Sequence, residues 1–298
     1  MKKILATLLA VLSLGVSAQT RTIPVVWPFA IGSPQANMVR SIIDSANKEQ
    51  NKYQFILVNK PGAGGSIAAN HVLEHDGPAV LASTSSFYIR PLLYKDSHNV
   101  DQFQIASTIC TGQPVAIYSK KLSTLSEAQG REINIGVIPG SITTLVTKAI
   151  KRENPEIKIQ EIPYKGTPDA TTDMLAGHID GSTDFIGKSI SSRFDSTVKV
   201  WGITGTKNFG TFRTFAQQQV KGLDNVTNDY FMFVSSKTDT ITRQELGRLF
   251  DANINDRTKA LCEDDFGTIT VTPNNRLDAL HQQTKSRWIQ LTQGITRE

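Results

Sequence analysis

The stretch Thr22-Ile23-Pro24-Val25-Val26-Trp27-Pro28-Phe29-Ala30-Ile31-Gly32-Ser33-Pro34 decides the fold class. Its apolar, β-branched start predicts a strand over 22–27. Pro28 and Gly32 punctuate a loop. Ser33 is a good N-cap, and Pro34 fits the first helical position. Met38, Val39, Ile42, Ile43 and Ala46 then recur at helical spacing. The stretch is one strand–loop–helix unit, and its loop joins the end of a strand to the start of a helix.

The unit recurs along the chain. A second strand is predicted over 54–58. The turn Pro61-Gly62-Ala63-Gly64-Gly65 follows, and Ser66 opens a short helix. A third strand over 79–82 runs into Ser83-Thr84-Ser85-Ser86. Residues 105–118 are strand-rich. A strand over 133–137, then Pro139-Gly140-Ser141, leads to a helix marked by Leu145, Val146, Ala149 and Ile150. A strand over 158–162 precedes Pro163-Tyr164-Lys165-Gly166, and Thr167-Pro168 repeats the cap-and-proline device up to a stop near Gly177. Further strands are predicted over 180–186, 199–204 and 230–235, and helices over 242–255 and from 274 onward. Strands alternating with helices argue for an α/β fold in two similar halves. The stretches 105–118 and 230–235 are candidates to run between them.

The N-terminus bears on the compartment. Met1-Lys2-Lys3 precedes an apolar run over 4–16, and Val16-Ser17-Ala18 supplies small residues at the −3 and −1 positions. That is the form of a signal peptide cleaved after Ala18, and the run is well short of the roughly 20 residues of a membrane span. The mature protein is therefore expected outside the cytoplasm, in the periplasm. Of all residues 39% are hydrophobic and 20% charged, a globular balance. The net charge of +5 is spread along the chain, a mild preference for anions and not a nucleic-acid footprint. Cys110 and Cys262 are competent to pair in an oxidising compartment, or to remain two buried thiols; their spacing does not choose.

In open α/β sheets ligands gather beyond the C-terminal ends of strands, where helix N-termini offer unpaired N–H groups and partial positive charge. Four loops have that form. The first offers Phe29, Ala30, Ile31, Gly32, Ser33 and Gln35; the second Ser83, Thr84 and Ser85. The third offers Ser141 and Thr143, the fourth Lys165, Gly166 and Thr167, and Asp184 in the 180–186 strand completes the candidate set. A competing motif is His71-Val72-Leu73-Glu74-His75, an H-x-x-E-H zinc spacing if it lies on one helix face. There is no G-x-S-x-G nucleophile elbow and no phosphate loop. Gly62-Ala63-Gly64-Gly65 is not a full dinucleotide fingerprint, because Ile67 stands at its third glycine.

The order of these motifs resembles the Bug-type substrate-binding proteins of tripartite tricarboxylate transporters, over about 23–288. The residues that carry it are Trp27-Pro28-Phe29-Ala30 with Gly32; Asn59-Lys60-Pro61-Gly62-Ala63-Gly64-Gly65; Pro163-Tyr164-Lys165-Gly166; Asp173-Met174-Leu175-Ala176-Gly177-His178-Ile179-Asp180; and Thr204-Gly205. The resemblance implies a type II periplasmic-binding-protein flytrap with two α/β lobes joined by two crossing strands. Lobe 1 would hold 22–118 and 238–298, and lobe 2 119–237. It implies a monomer that captures an organic acid for the membrane permease subunits, with no cofactor, no metal, no catalysis and no nucleic acid. The acid would be a di- or tricarboxylate, an acidic amino acid or an aromatic acid. One end would meet the 29–35 loop, and the other Ser141 and the 165–167 loop. The chain departs from the family's Pro-Phe-x-x-Gly-Gly-x-x-Asp at Ser33 and Ala36, which bears on the ligand more than on the fold. It also lacks the usual Gly-Thr-Pro near 235–239. The rivals are a sensor module for a membrane receptor, a zinc hydrolase using His71, Glu74 and His75, and a scavenger that only buffers its ligand.

Overall fold

The computed structural model describes residues 20–187, 196–207, 209 and 211–298. The expected signal peptide, 1–18, lies outside the described residues.

The opening unit forms as its residue types require. Strand β1 (Arg21–Trp27) leads to helix α1 (Pro34–Glu49). Ser33 caps α1 by accepting a 3.1 Å hydrogen bond from the Ala36 amide. Met38, Val39, Ile42, Ile43 and Ala46 are its buried face. Strand β2 (Tyr53–Asn59), helix α2 (Ser66–Glu74) and strand β3 (Val80–Thr84) follow, with β1 between β2 and β3 and parallel to both. Helix α3 (Ser86–Leu93) starts directly after β3.

The second half repeats this order. Strand β4 (Phe103–Gln113) is followed by β5 (Val115–Ser119), β6 (Glu132–Val137), α4 (Ile142–Glu153), β7 (Lys158–Pro163), α5 (Thr167–Ala176), β8 (Gly181–Phe185) and β9 (Lys199–Ile203). Here β6 lies between β7 and β8, parallel to both. Strand β10 (Asn228–Ser235), helices α6 (Thr240–Ala252) and α7 (Asp256–Asp264), the short β11 (Thr268–Ile269) and helix α8 (Leu277–Leu291) complete the chain. The strand orders are β11-β4-β10-β3-β1-β2 and β7-β6-β8-β5-β9. Each sheet has the same centre: three parallel strands with the first in the middle, and an antiparallel strand beside the third. The α/β class and the two-lobed form read from the sequence are what the chain adopts.

Four expectations shift in detail. The 105–118 stretch is two strands in different sheets, broken at Pro114, whose missing N–H cannot continue a ladder. The sequence reading kept residues to 118 in the first half and 230–235 in the second. Strand pairing instead gives β5 to the second sheet and β10 to the first, where it is antiparallel to β3 and β4. The helix expected over 242–255 ends earlier, and Asn255 caps α7 by accepting from the Thr258 amide at 3.0 Å. At α5 the cap is Gly166 and not Thr167, which is the first helical residue.

Cys110 in β4 and Cys262 in α7 are bonded as a disulfide with a Cα separation of 5.9 Å. One core cluster packs α1, β1, Tyr230 and Phe250. Another runs from Phe87, Phe103 and Phe233 to Ile142, Leu145 and Trp201, so apolar contact is continuous from one sheet's helices to the other's. Among the described residues no helix is long and apolar enough to cross a membrane.

Candidate ligand-binding cleft

In each sheet the chain leaves the middle parallel strand toward one side and the third parallel strand toward the other, so a switch point lies between those two strands. The loops after β1 and β3 and the loop after β6 leave from these points. They face one another across a cleft with an inner cavity of about 40 Å³.

Four helices start at its wall. Ser33 and Gln35 come from α1, Thr84 and Ser86 from the start of α3, Ser141, Ile142 and Thr143 from α4, and Gly166, Thr167 and Pro168 from α5. The first turns of α1, α3 and α4 contain no acidic residue. Their N-terminal partial charges are therefore not met by a side chain of their own first turn. Trp27, Phe29, Ala30, Ile138, Phe185 and Tyr230 make the remaining walls, and among the described residues none of the lining side chains carries a charge.

The motifs hold these loops in place. Asn59 donates to the carbonyls of Trp27 (3.1 Å) and Phe29 (2.7 Å), fixing the turn out of β1. Tyr164 donates to Asp173 at 2.6 Å, tying the 163–166 turn to α5. That bond helps hold the Asp173 carboxyl below its usual range, while burial foremost pushes the Tyr164 phenol up to about 12. Gly136 is needed because a Cβ there would lie 2.8 Å from Ala170 and 3.2 Å from the Tyr164 ring. Ser141 caps α4 by accepting from the Thr143 amide at 3.1 Å. The Ile142 amide, at the α4 start, donates at 3.3 Å to Ser86 Oγ from the other half.

Of the candidates, Phe29, Ala30, Ser33, Gln35, Thr84, Ser141, Thr143, Gly166 and Thr167 reach the cleft. The others lie elsewhere. Ile31 is 52% exposed, and Gly32 (φ +101°) faces open space, because the loop turns outward there. Ser83 precedes Thr84 in β3, and strand alternation sends its side chain to the other face. Ser85 Oγ accepts from the Asp229 amide at 3.0 Å. Asp184 is buried and accepts from the Phe185 amide at 2.8 Å, while Phe185 takes the lining position. Lys165 lines an outer chamber of about 300 Å³ with Pro28, Gly62, Gly64, Pro139 and Tyr164. Phe29 and Ile138 line both spaces.

Sequence reasoning missed Trp27, Ile138, Pro168, Phe185 and Tyr230, and it named the loops 83–86 and 140–143 without singling out Ser86 and Ile142. Ser86 stood in the quoted hydroxyl cluster and Trp27 in the quoted opening stretch. Tyr230 had no local signal: it reaches the site because β10 pairs it with Thr84 of β3. Its hydroxyl is buried with no hydrogen-bond partner among the described residues. Burial first, then the charges of Asp265 and Asp184, raise its pKa well above the usual tyrosine value, so it stays a neutral donor.

The H-x-x-E-H segment does not form a helical face. Helix α2 ends at Glu74, and His75 is extended (ψ 131°), contacting the Gly77 carbonyl. No group of three potential metal ligands gathers among the described residues.

No family model matches this chain, and no curated protein matches it. Solved structures do. The periplasmic binding protein BugD superposes with a TM-score of 0.80 at 20% identity, covering 93% of this chain and 99% of its own. MatC from Rhodopseudomonas palustris, solved with malate, gives 0.80 at 19% identity over 92% of this chain and 100% of its own. A second R. palustris protein, solved with adipate, gives 0.78 at 19% identity over 92% and 97%. The chain thus has the two-lobed fold of the periplasmic binding protein BugD, which it also shares with MatC.

Proposed function

We propose that the protein is an exported solute-binding protein that closes on a small organic acid and passes it to the membrane permease of a tripartite tricarboxylate-type transporter. The observation that carries this reading is the convergence of four helix N-termini on one cleft with no charged side chain among its described lining residues. Such a site offers preoriented N–H donors and hydroxyls to a carboxylate without a fixed counter-ion. The malate and adipate held by proteins of the same fold support the same ligand class. Lobes that follow the sheets, one with 20–113 and 228–298 and the other with 115–187 and 196–203, would hinge at Pro114 and just before β10. Export to the periplasm, with cleavage after Ala18, fits this role. A ligand touching both lobes favours the closed state because it binds that state more tightly.

A thermal-shift screen of the mature protein tests this. The panel holds di- and tricarboxylates, acidic amino acids, aromatic acids, sugars and zinc. A ligand at 100 times its dissociation constant adds about 2.7 kcal/mol, a rise of several degrees. A shift with one carboxylate class is expected, and Ser33→Glu, which places a negative charge at the start of α1, should remove it. A shift with zinc or sugars alone, or an unchanged carboxylate shift in the variant, would refute the assignment.

A further inference from the structure

We propose that the turn ending α7, residues 262–267, is a latch between the lobes, in which Phe266 and Asp265 are positioning residues that hold the cleft shut on its ligand. The inference rests on the solute-binding reading and goes beyond it, since neither residue stands in the cleft wall. The argument begins with a residue in an unfavourable place. The Phe266 amide donates to the Glu263 carbonyl at 3.1 Å, and the Gly267 amide to the Cys262 carbonyl at 2.9 Å. These are the two bonds of a Schellman helix end, which needs a left-handed residue at 266. Glycine is usual there because it has no Cβ to clash. Here phenylalanine takes the position at φ +54°, a conformation that bulky residues rarely adopt. The glycine comes one residue later, where a Cβ would crowd both sulfurs of the Cys110–Cys262 disulfide. The turn itself does not call for a ring.

The ring's partners belong to the other lobe. Phe266 stacks on Phe209, with centroids 4.6 Å apart and planes 27° from parallel. Both rings pack against the cluster of Ala116, Tyr118, Met174 and Ile203, which comes from the second sheet and its helix α5. Asp265 reaches the cleft: Gln35, in the cleft wall, donates through Nε2 to its Oδ2 at 3.0 Å, and both side chains are buried. Gly187, just past β8, abuts the same turn. A Cβ there would lie 2.7 Å from the Asp264 carbonyl oxygen and from Asp265 Oδ1. The disulfide fixes the other end of the turn to β4, shortly before the chain crosses at Pro114. The turn is thus anchored in lobe 1 while its tip sits in lobe 2. Opening the lobes separates the two rings. A contact made only in the closed state raises the population of that state, and with it the affinity for a ligand that needs it.

Stopped-flow and equilibrium binding on the mature protein test the latch, followed by tryptophan fluorescence because Trp27 lines the cleft. The probes are malate, citrate, glutamate, adipate and benzoate. Phe266→Gly keeps the left-handed turn and removes the ring. For each probe that the wild type binds, affinity should fall about threefold to tenfold, the worth of an aromatic pair. The loss should lie in faster dissociation, with association unchanged. A merely structural role would lower the melting point and the fraction of active molecules but leave the dissociation rate of the folded ones as it was. Phe209→Ala should reproduce the loss, and the double variant should lose no more than either single one. An unchanged dissociation rate in Phe266→Gly, or losses that add in the double variant, would overturn the latch and leave the solute-binding reading standing. A wild type that binds none of the five probes would overturn both.

Discussion

His98 shows what one buried side chain does to the whole. Its Nε2 donates to the Phe87 carbonyl at 2.8 Å, so Nδ1 faces the Ser66 hydroxyl at 3.0 Å as an acceptor. The ring stacks on Phe87 with centroids 4.8 Å apart. Burial foremost lowers its pKa from 6.5 to about 4. Between these values the unfolded chain binds a proton that the folded chain refuses, so acid favours unfolding. Its contribution is full above pH 6.5 and is lost as pH falls toward 4. From pH 6.5 to 4.5 the loss should be on the order of 2 kcal/mol. His281, also lowered by burial, acts in the same direction. Urea unfolding at several pH values should show a shallower acid loss for His98→Gln than for the wild type; parallel slopes would contradict the assignment. None of this was legible in the sequence, because a lone histidine gives no sign of its burial. Ser33 is the opposite case. Its N-cap role depends only on its neighbours, so the sequence alone exposed it.

Among elements, the strand–loop–helix units were readable because each carries its own punctuation: a β-branched run, a glycine or proline turn, then an apolar helical stripe. Pairing between distant elements was not. Nothing near Tyr230 says that β10 lies beside β3, and nothing near Cys110 says that α7 comes back to β4. That return is a disulfide, and the packing around it is close: a Cβ on Gly267 would collide with Cys110 Sγ and lie 3.0 Å from Cys262 Sγ. The bond closes a separation of 152 residues. On the chain-entropy model such a loop restricts the unfolded chain by on the order of 5 kcal/mol at most. The double variant Cys110→Ser, Cys262→Ser should lose about 2–5 kcal/mol in denaturant unfolding. A loss well under 1 kcal/mol would mean that the surrounding core holds α7 to β4 without it.

At the scale of the molecule, the two lobes are shut on each other. Ser86 accepts from the Ile142 amide across the seam, the Gly64 turn abuts the Pro139 carbonyl, and Gly166 meets Ala30. The last contact isolates closure from folding. Gly166 has φ −163°, extended backbone that alanine adopts without strain, so a Cβ there costs nothing within its own lobe. Across the seam that Cβ lies 2.8 Å from the Ala30 Cβ, inside van der Waals contact. Gly166→Ala should therefore leave unfolding free energy near the wild-type value but hold the lobes apart. Overpacking of this kind costs about 1–3 kcal/mol, so carboxylate affinity should fall roughly tenfold. Ala30→Gly in the same chain removes the opposing methyl and should restore affinity. Rescue is the telling outcome, since a local disturbance of the 163–166 turn would not be repaired from the other lobe. If Gly166→Ala binds as the wild type does, the ligand is held by a more open cleft than this one.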